Sequence, residues 1–325
     1  MTTAEILARF PKLTALVVGD ICLDRWCTYD PATAEPSRET GIPRVGVVST
    51  ESTAGAGGTV ANNLADLGCG HVAVLGVAGD DGHGFELRQA LARRNIDSKY
   101  LLHTRGLQTF TYTKLLNIRT GIEDLPRVDF INVRPLAAEA ERRLAGAIRE
   151  AAPQFDVVLI SDQAETAAGG VVTPLIRQTL ASLAAHHPQI VFWVDSRLRA
   201  ETFRHMIVKP NEREAREACA RAGVSSCHEL RRLIGAQPLI VTHGAAGAAV
   251  YTDSGYEFVP GARIANPVDI CGAGDSFSAG AALTMAVTRD PVEAARMGNR
   301  VASITIMKKG TGTATPAEVL AAPLP

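Results

Sequence analysis

The chain has 325 residues, a formal net charge of -1 and 46% hydrophobic residues. Such a balance carries no basic stripe, which argues against nucleic acid or an anionic membrane as partner. No apolar run nears the roughly 20 residues that span a bilayer, and six cysteines without a C-x-x-C pair or a Cys/His cluster argue against a metal or redox centre. A cytoplasmic protein without a signal peptide is the expectation.

In chain order, short apolar runs alternate with helix-length segments. "TALVVGDICL" (14–23) reads as a buried strand and "GTVANNLADLG" (58–68) as a helix. "HVAVLGVAG" (71–79) is a strand and "GFELRQALARRN" (84–95) a helix. "AAEAERRLAGAIREA" (137–151) leads into the strand "DVVLISD" (156–162), and "VVTPLIRQTLASLAAHH" (171–187) into "IVFWVDS" (190–196). "MIVKPN" (206–211) and "PLIVTHG" (238–244) are further strands, and "DSFSAGAALTMAV" (275–287) is a helix. Near-continuous apolar strands imply burial on both faces, as in a parallel sheet between helical layers. The predicted fold class is α/β, a doubly wound, mostly parallel sheet in one domain over residues 1–325. Residues 28–52 and 103–131 break this rhythm and read as antiparallel strand pairs outside the main sheet, either together a small β lid or two unrelated surface hairpins.

Ligands of open parallel sheets bind beyond the carboxyl ends of the strands. The residues to weigh there are Asp20, Asp24, Asp80, Asp81, Ser161, Asp162, Asp195, Asn211, Glu214, Thr242 and Gly244. Two glycine clusters precede helices. In "GAGGTVAN" (55–62), Gly57 and Gly58 could bring backbone N–H groups to a ligand hydroxyl or simply let helix and strand pack closely. In "CGAGD" (271–275), Asp275 at a helix start could cap it, or could stand as a catalytic carboxylate beside a bound anion. Neither G-x-x-x-x-G-K-[ST] nor G-x-G-x-x-G occurs, so an ordinary P-loop and a dinucleotide fingerprint are absent.

The order of these motifs resembles the PfkB/ribokinase family of carbohydrate kinases. It runs from Gly19-Asp20 with Asp24, through Gly57, Gly58 and Asn62, the "GVAGDDGHG" turn (76–84), Asn211 with Glu214, and Thr242 with Gly244, to Gly272–Asp275. The resemblance implies transfer of the ATP γ-phosphoryl group to a sugar hydroxyl. Asp275 would accept the proton, kept ionised by the helix dipole, and the Gly272, Ala273, Gly274 and Asp275 backbone would form an anion hole. Asp20, Asp24, Gly57, Gly58 and Asn62 would hold the sugar. Asn211 and Glu214 would organise Mg²⁺ through water, Asn211, Thr242, Gly244, Gly247 and Asn299 would contact the nucleotide, and a monovalent cation could take part. Within the family, "VVGDICLDRW", "TKL" (113–115) and "RVDF" (127–130) are similar to the kinase domain of bacterial heptose 7-phosphate kinases. That likeness implies a phosphorylated sugar met by lid cations drawn from Arg38, Arg44, Lys114, Arg119 and Arg127, and a homodimer paired through the lid. Two departures stand out: Gln163-Ala164-Glu165 follows Ser161-Asp162 where those kinases carry Tyr and a nearby Lys, and Ile270-Cys271 precedes Gly272. No fused nucleotidyltransferase is expected. A nucleoside kinase and a non-catalytic sugar-binding regulator are the alternatives.

Overall fold

The structure is a computed structural model that describes residues 1–164, 168–235, 237–262 and 264–322. Its strands are β1 (Thr14–Gly19), β2 (Ile21–Tyr29), β3 (Val47–Ala56), β4 (His71–Gly79), β5 (Asp97–Thr104), β6 (Thr111–Asn117), β7 (Val128–Phe130), β8 (Val157–Asp162), β9 (Val191–Ser196), β10 (Ile207–Val208), β11 (Leu239–Thr242), β12 (Gly247–Thr252) and β13 (Gly255–Pro260). The helices are α1 (Thr3–Leu7), α2 (Gly57–Asp66), α3 (Gly82–Ala92), α4 (Ala138–Ala151), α5 (Pro174–His186), α6 (Glu212–Ala222), α7 (Cys227–Ile234), α8 (Ala273–Thr288), α9 (Pro291–Thr305) and α10 (Pro316–Ala321).

Nine strands form one sheet in the order β13-β12-β11-β10-β9-β8-β1-β4-β5. Neighbours from β5 to β11 run parallel, whereas β11, β12 and β13 pair antiparallel at one edge. The alternation of side chains explains why the strands are apolar throughout. Ala15 and Val17 face a core shared with α2, α8 and α9, while Leu16 and Val18 face a second core packed by α4, α5 and α7. Both layers are buried, so neither face of a strand tolerates a polar run. No helix among the described residues is long and apolar enough to cross a membrane.

Where the chain leaves this sheet, the expected boundaries shift. "TALVVGDICL" is two strands, not one. Gly19 takes φ 137°, the Asp20 amide donates to the Ser161 carbonyl at 2.9 Å, and the chain turns out of the main sheet into β2. A side chain at 19 would put its Cβ 2.1 Å from the Ser161 carbonyl oxygen, so only glycine fits this exit. A second sheet follows in the order β3-β2-β6-β7. Its first antiparallel pair joins residues 21–29 to 47–56, not strands within 28–52, and its second joins 111–117 to 128–130, while 103–104 end β5 of the main sheet. The two pairs meet through β2 and β6, which run parallel.

Candidate active site

The motif CGAGD sits where the chain enters α8. Gly272 is the N-cap, with φ 78° and no capping side chain, and Asp275 is the third residue of the helix rather than its cap. A Cβ at 272 would stand 3.3 Å from Thr59 and 3.4 Å from Thr311, so the left-handed turn and the close approach both favour glycine. The Ala273 amide donates to the Ile270 carbonyl at 3.2 Å. The Gly274 and Asp275 amides have no acceptor among the described residues. Of the Gly272–Asp275 backbone expected to form the anion hole, the Ala273 amide is thus engaged, while those of Gly274 and Asp275 stay open at the positive end of a helix of 16 residues.

Asp275 does not keep an ordinary carboxylate pKa. Burial, reinforced by the Asp195 carboxylate, pushes it up to about 7, against the pull of Lys209 and Arg197. Desolvation thus works against the ionised form that the helix dipole is expected to favour. The result is a carboxyl group that titrates near neutrality.

Beneath Asp275 lies an ion pair that no motif announces. Lys209 follows β10, is 4% exposed, and sets its Nζ 2.5 Å from Asp195 Oδ2 and 3.2 Å from the Gly274 carbonyl. Ser278 donates to the same Asp195 oxygen at 3.2 Å. Burial would discharge the ammonium, yet the Asp195 partner holds its pKa above the usual lysine value. The pair connects the end of β9, the segment after β10 and the first turn of α8. Its one sequence signal is position: Asp195 lies at the end of a buried strand and Lys209 directly after another.

Two cavities meet at Asp275. The larger, about 500 Å³, gathers Asn211, Glu214, Thr242, Gly244, Gly247, Asn299 and Gly272–Asp275, the residues expected to meet nucleotide, metal and phosphate. The smaller, about 150 Å³, is lined by Asp24, Lys114 and Arg127 together with Gly272 and Asp275. Gln163, Arg197, Gly272 and Asp275 line both. Glu165 of the departing stretch lies outside the described residues.

The residues expected to hold the sugar fall into two groups around the smaller cavity. Asp24 lines it, and burial raises its carboxyl to about 6 against the pull of Lys114 and Arg127. Arg127 forms a two-pronged pair with Asp129 and lies 5.1 Å from the Tyr112 ring centre. Asp20, in contrast, turns away: its carboxylate accepts the amides of Gln163, Ala164 and Val171 at 2.8–3.0 Å and so fastens the segment after β8. Gly57, Gly58 and Asn62 line neither cavity. The Gly57 amide donates to the Asp20 carbonyl, and a Cβ at 57 or 58 would stand 2.7 Å from Ile21 Cδ1 or 2.5 Å from Ala54 Cβ. These glycines serve close packing of α2 on β2 and β3. Asn62 donates to the Ala54 carbonyl and Thr53 hydroxyl, tying α2 to β3. The residues of this stretch that do reach the cavity are Ala56 and Thr59, and Gly55 makes room for Asp24, whose carboxyl group would lie 2.4 Å from a Cβ there. Arg38, Arg44 and Arg119 line neither cavity, and Arg44 pairs with Glu35 at 2.9 Å. Arg25 lines the smaller one.

Asn211 and Glu214 also have a structural role. They form a reciprocal capping box at the start of α6, in which Asn211 Oδ1 accepts the Glu214 amide at 2.9 Å and Glu214 Oε2 accepts the Asn211 amide at 2.8 Å. Asn299 likewise donates to the Val259 and Pro260 carbonyls at 3.1 and 3.2 Å. Burial raises the Glu214 pKa. Among the described residues no cluster of three His, Cys, Asp or Glu could hold a metal by itself. A carboxylate beside a nucleotide-sized cavity suits Mg²⁺, which keeps much of its water and shares the rest of its shell with phosphate oxygens.

Comparison with known proteins places this geometry. Residues 14–318 match the family model described as "pfkB family carbohydrate kinase". The chain is 33% identical over 332 residues to the bifunctional protein HldE of Pelobacter propionicus and 31% identical over 331 residues to that of Trichlorobacter lovleyi. These alignments cover 97% and 98% of the chain but 64% of each relative, so the chain spans somewhat under two thirds of their length. Among solved structures, a ribokinase of Arabidopsis thaliana complexed with ribose and ATP aligns with TM-score 0.65 at 16% identity, over 95% of this chain and 98% of that one. A nucleoside kinase of Burkholderia thailandensis in complex with inosine aligns with TM-score 0.66 at 18% identity, over 94% of this chain and 95% of that one. Family match and fold agree with a strand-end site built round a carboxylate and a helix start: the chain belongs to the pfkB family of carbohydrate kinases.

Proposed function

We propose that the protein transfers the γ-phosphoryl group of ATP to a hydroxyl of a phosphorylated sugar, with a heptose 7-phosphate as the first candidate acceptor. The observation that carries this reading is the meeting of the two cavities at Asp275. A nucleotide in the larger one and a sugar in the smaller one would bring donor and acceptor together over the amides of Gly274 and Asp275. Asp275, with a pKa of about 7, takes the hydroxyl proton, and the two amides stabilise charge on the phosphoryl oxygens. Glu214 would hold Mg²⁺ through water, and the ion would supply charge neutralisation on the phosphates. Asp24 accepts a hydrogen bond from a sugar hydroxyl.

Arg25, Lys114, Arg127 and Arg197 around the smaller cavity favour an acceptor that already carries a phosphate, and a nucleoside offers these cations nothing to pair with. The small sheet serves as a lid. Its exposed Val47, Val48 and Val128, with Val45 beside them, fit pairing of two lids in a homodimer, for which a light-scattering mass of a single chain at micromolar concentration would be the contrary result. The test of the reaction is ADP release over a panel of sugars, sugar phosphates and nucleosides, with Asp275→Asn as control. Turnover greatest on a heptose 7-phosphate and lost in the variant is expected; turnover greatest on an unphosphorylated nucleoside would refute the substrate reading.

A further inference from the structure

We propose that Arg197 is a catalytic residue of the transfer, a fixed cation that grips the phosphoryl group as it passes between the two cavities. The inference rests on the reading of the larger cavity as donor site and the smaller as acceptor site. During transfer the bond from the γ-phosphorus to the β,γ-bridging oxygen breaks and a bond from the acceptor oxygen forms. The acceptor proton goes to Asp275, and ADP leaves with the electron pair of the broken bond. The group in flight therefore lies at the junction, in reach of the residues that line both sides.

Four residues do so, and among them Arg197 alone carries a fixed positive charge. Lys209, which is buried where Arg197 is exposed, lines only the larger cavity and is held by Asp195 and the Gly274 carbonyl. Arg25, Lys114 and Arg127 line only the smaller. The two amides at the start of α8 supply partial charges from below, and Arg197 would supply a whole one from the side.

The chain also holds this side chain in place. The Arg197 amide donates to the Asp162 carbonyl at 3.1 Å, which sets its backbone at the end of β9. Its Nε donates to Gln163 Oε1 at 2.7 Å, and the Gln163 amide is itself fixed to Asp20 at 2.8 Å. Gln163 thus orients Arg197 by its Nε, and the planar guanidinium fork has the shape that takes phosphate oxygens two at a time. Gln163 belongs to the stretch where the sequence departs from the heptose kinases, and the departure thereby gains a purpose, since it positions a cation. Arg197 also draws down the carboxyl groups of both Asp24 and Asp275, as a cation between donor and acceptor sites should.

Arg197→Met and Arg197→Lys, each checked for folding by thermal melting, are compared with the wild type in ATP-dependent transfer to heptose 7-phosphate and in sugar-free ATP hydrolysis. In Arg197→Met, kcat is expected to fall about a hundredfold or more, as for loss of a donor to transition-state charge, with both KM values moving less than about threefold. Arg197→Lys, and guanidinium ion added to Arg197→Met, should each recover part of the loss. Gln163→Leu, which removes the acceptor for Nε, should give an intermediate fall in kcat and serves if Arg197→Met does not fold. A kcat within about threefold of wild type, or a loss confined to the KM of the sugar phosphate, overturns the proposal; the latter would make Arg197 a ground-state anchor. If the wild type ignores heptose 7-phosphate, the substrate reading falls by itself. Sugar-free hydrolysis then decides for Arg197: the same loss supports the proposal, and an unchanged rate overturns it.

Discussion

Replacing Asp275 by Asn should slow transfer by orders of magnitude and at the same time make the protein more stable, by an amount that depends on pH. The carboxyl group rises from an ordinary value near 3.8 to about 7, chiefly because it is buried. Between these values the folded chain binds more protons at this site than the unfolded one, so stability falls as pH rises through that window and levels off above 7. Each pH unit within the window is worth about 1.4 kcal/mol, so the span from pH 5 to 7 costs about 3 kcal/mol. Asn keeps the shape and removes the titration. The advantage of Asp275→Asn over wild type should therefore grow by about 3 kcal/mol between pH 5 and pH 8, which for a chain of this size shifts the melting point by roughly 4 °C. Thermal melts of both proteins at the two pH values measure it, and any constant effect of the substitution cancels in the difference. Turnover in the same variant should drop by about 10²–10⁴-fold, the usual contribution of a positioned base. A stability difference that does not change with pH would refute the poised-base argument, even if the variant were inactive.

The remaining predictions concern the scaffold of the site. Lys209→Met leaves the Asp195 carboxylate without its cation and should cost about 3–5 kcal/mol, read as a fall in melting temperature; adding Asp195→Asn should restore part of it. Gly247→Ala meets both a φ of 122° and the Val259 carbonyl at 2.1 Å, so it should melt well below Gly244→Ala, where φ is 56° and nothing stands within 4 Å of a Cβ. Asn211→Ala should lose about 1 kcal/mol with the capping box, and Asn211→Asp should recover the melting point. If Asn211→Asp stays as unstable as Asn211→Ala, the cap is not what holds the start of α6.

The main sheet was legible because burial on both faces leaves an unbroken apolar signature; the strand read at 71–79 has those same bounds in the structure. The origin of the small sheet was not legible, since the exit from β1 depends on one residue, Gly19, whose conformation no periodicity announces. The glycine cluster at 55–62 reads two ways for a related reason. Two glycines before a helix look alike whether a ligand or a neighbouring strand occupies the space, and here Ile21 and Ala54 occupy it. Asn211 with Glu214 was legible as a motif, but the structure shows that its spacing serves a helix cap, whatever its part in the proposed metal site. Lys209 and Arg197 escaped because each is a lone cation after a strand. Asp195 was weighed on that same positional ground, and extending it to cations would have found both.

The small sheet is assembled from residues 21–29, 47–56, 111–117 and 128–130, with α2, β4, α3 and β5 intervening between its two halves. It is therefore not a cassette. Grafting the small sheet onto a relative would require exchanging two separate stretches of chain at once. The first would have to carry Gly19 and Asp20 with it, because the turn out of the main sheet and the fastening of the segment after β8 are set there. A chimaera that moved only the stretch around Lys114 and Arg127 would set its β6 against a foreign β2, and the parallel pairing from Leu23–Thr111 to Tyr29–Asn117 would have to be met by a strand that never evolved beside it.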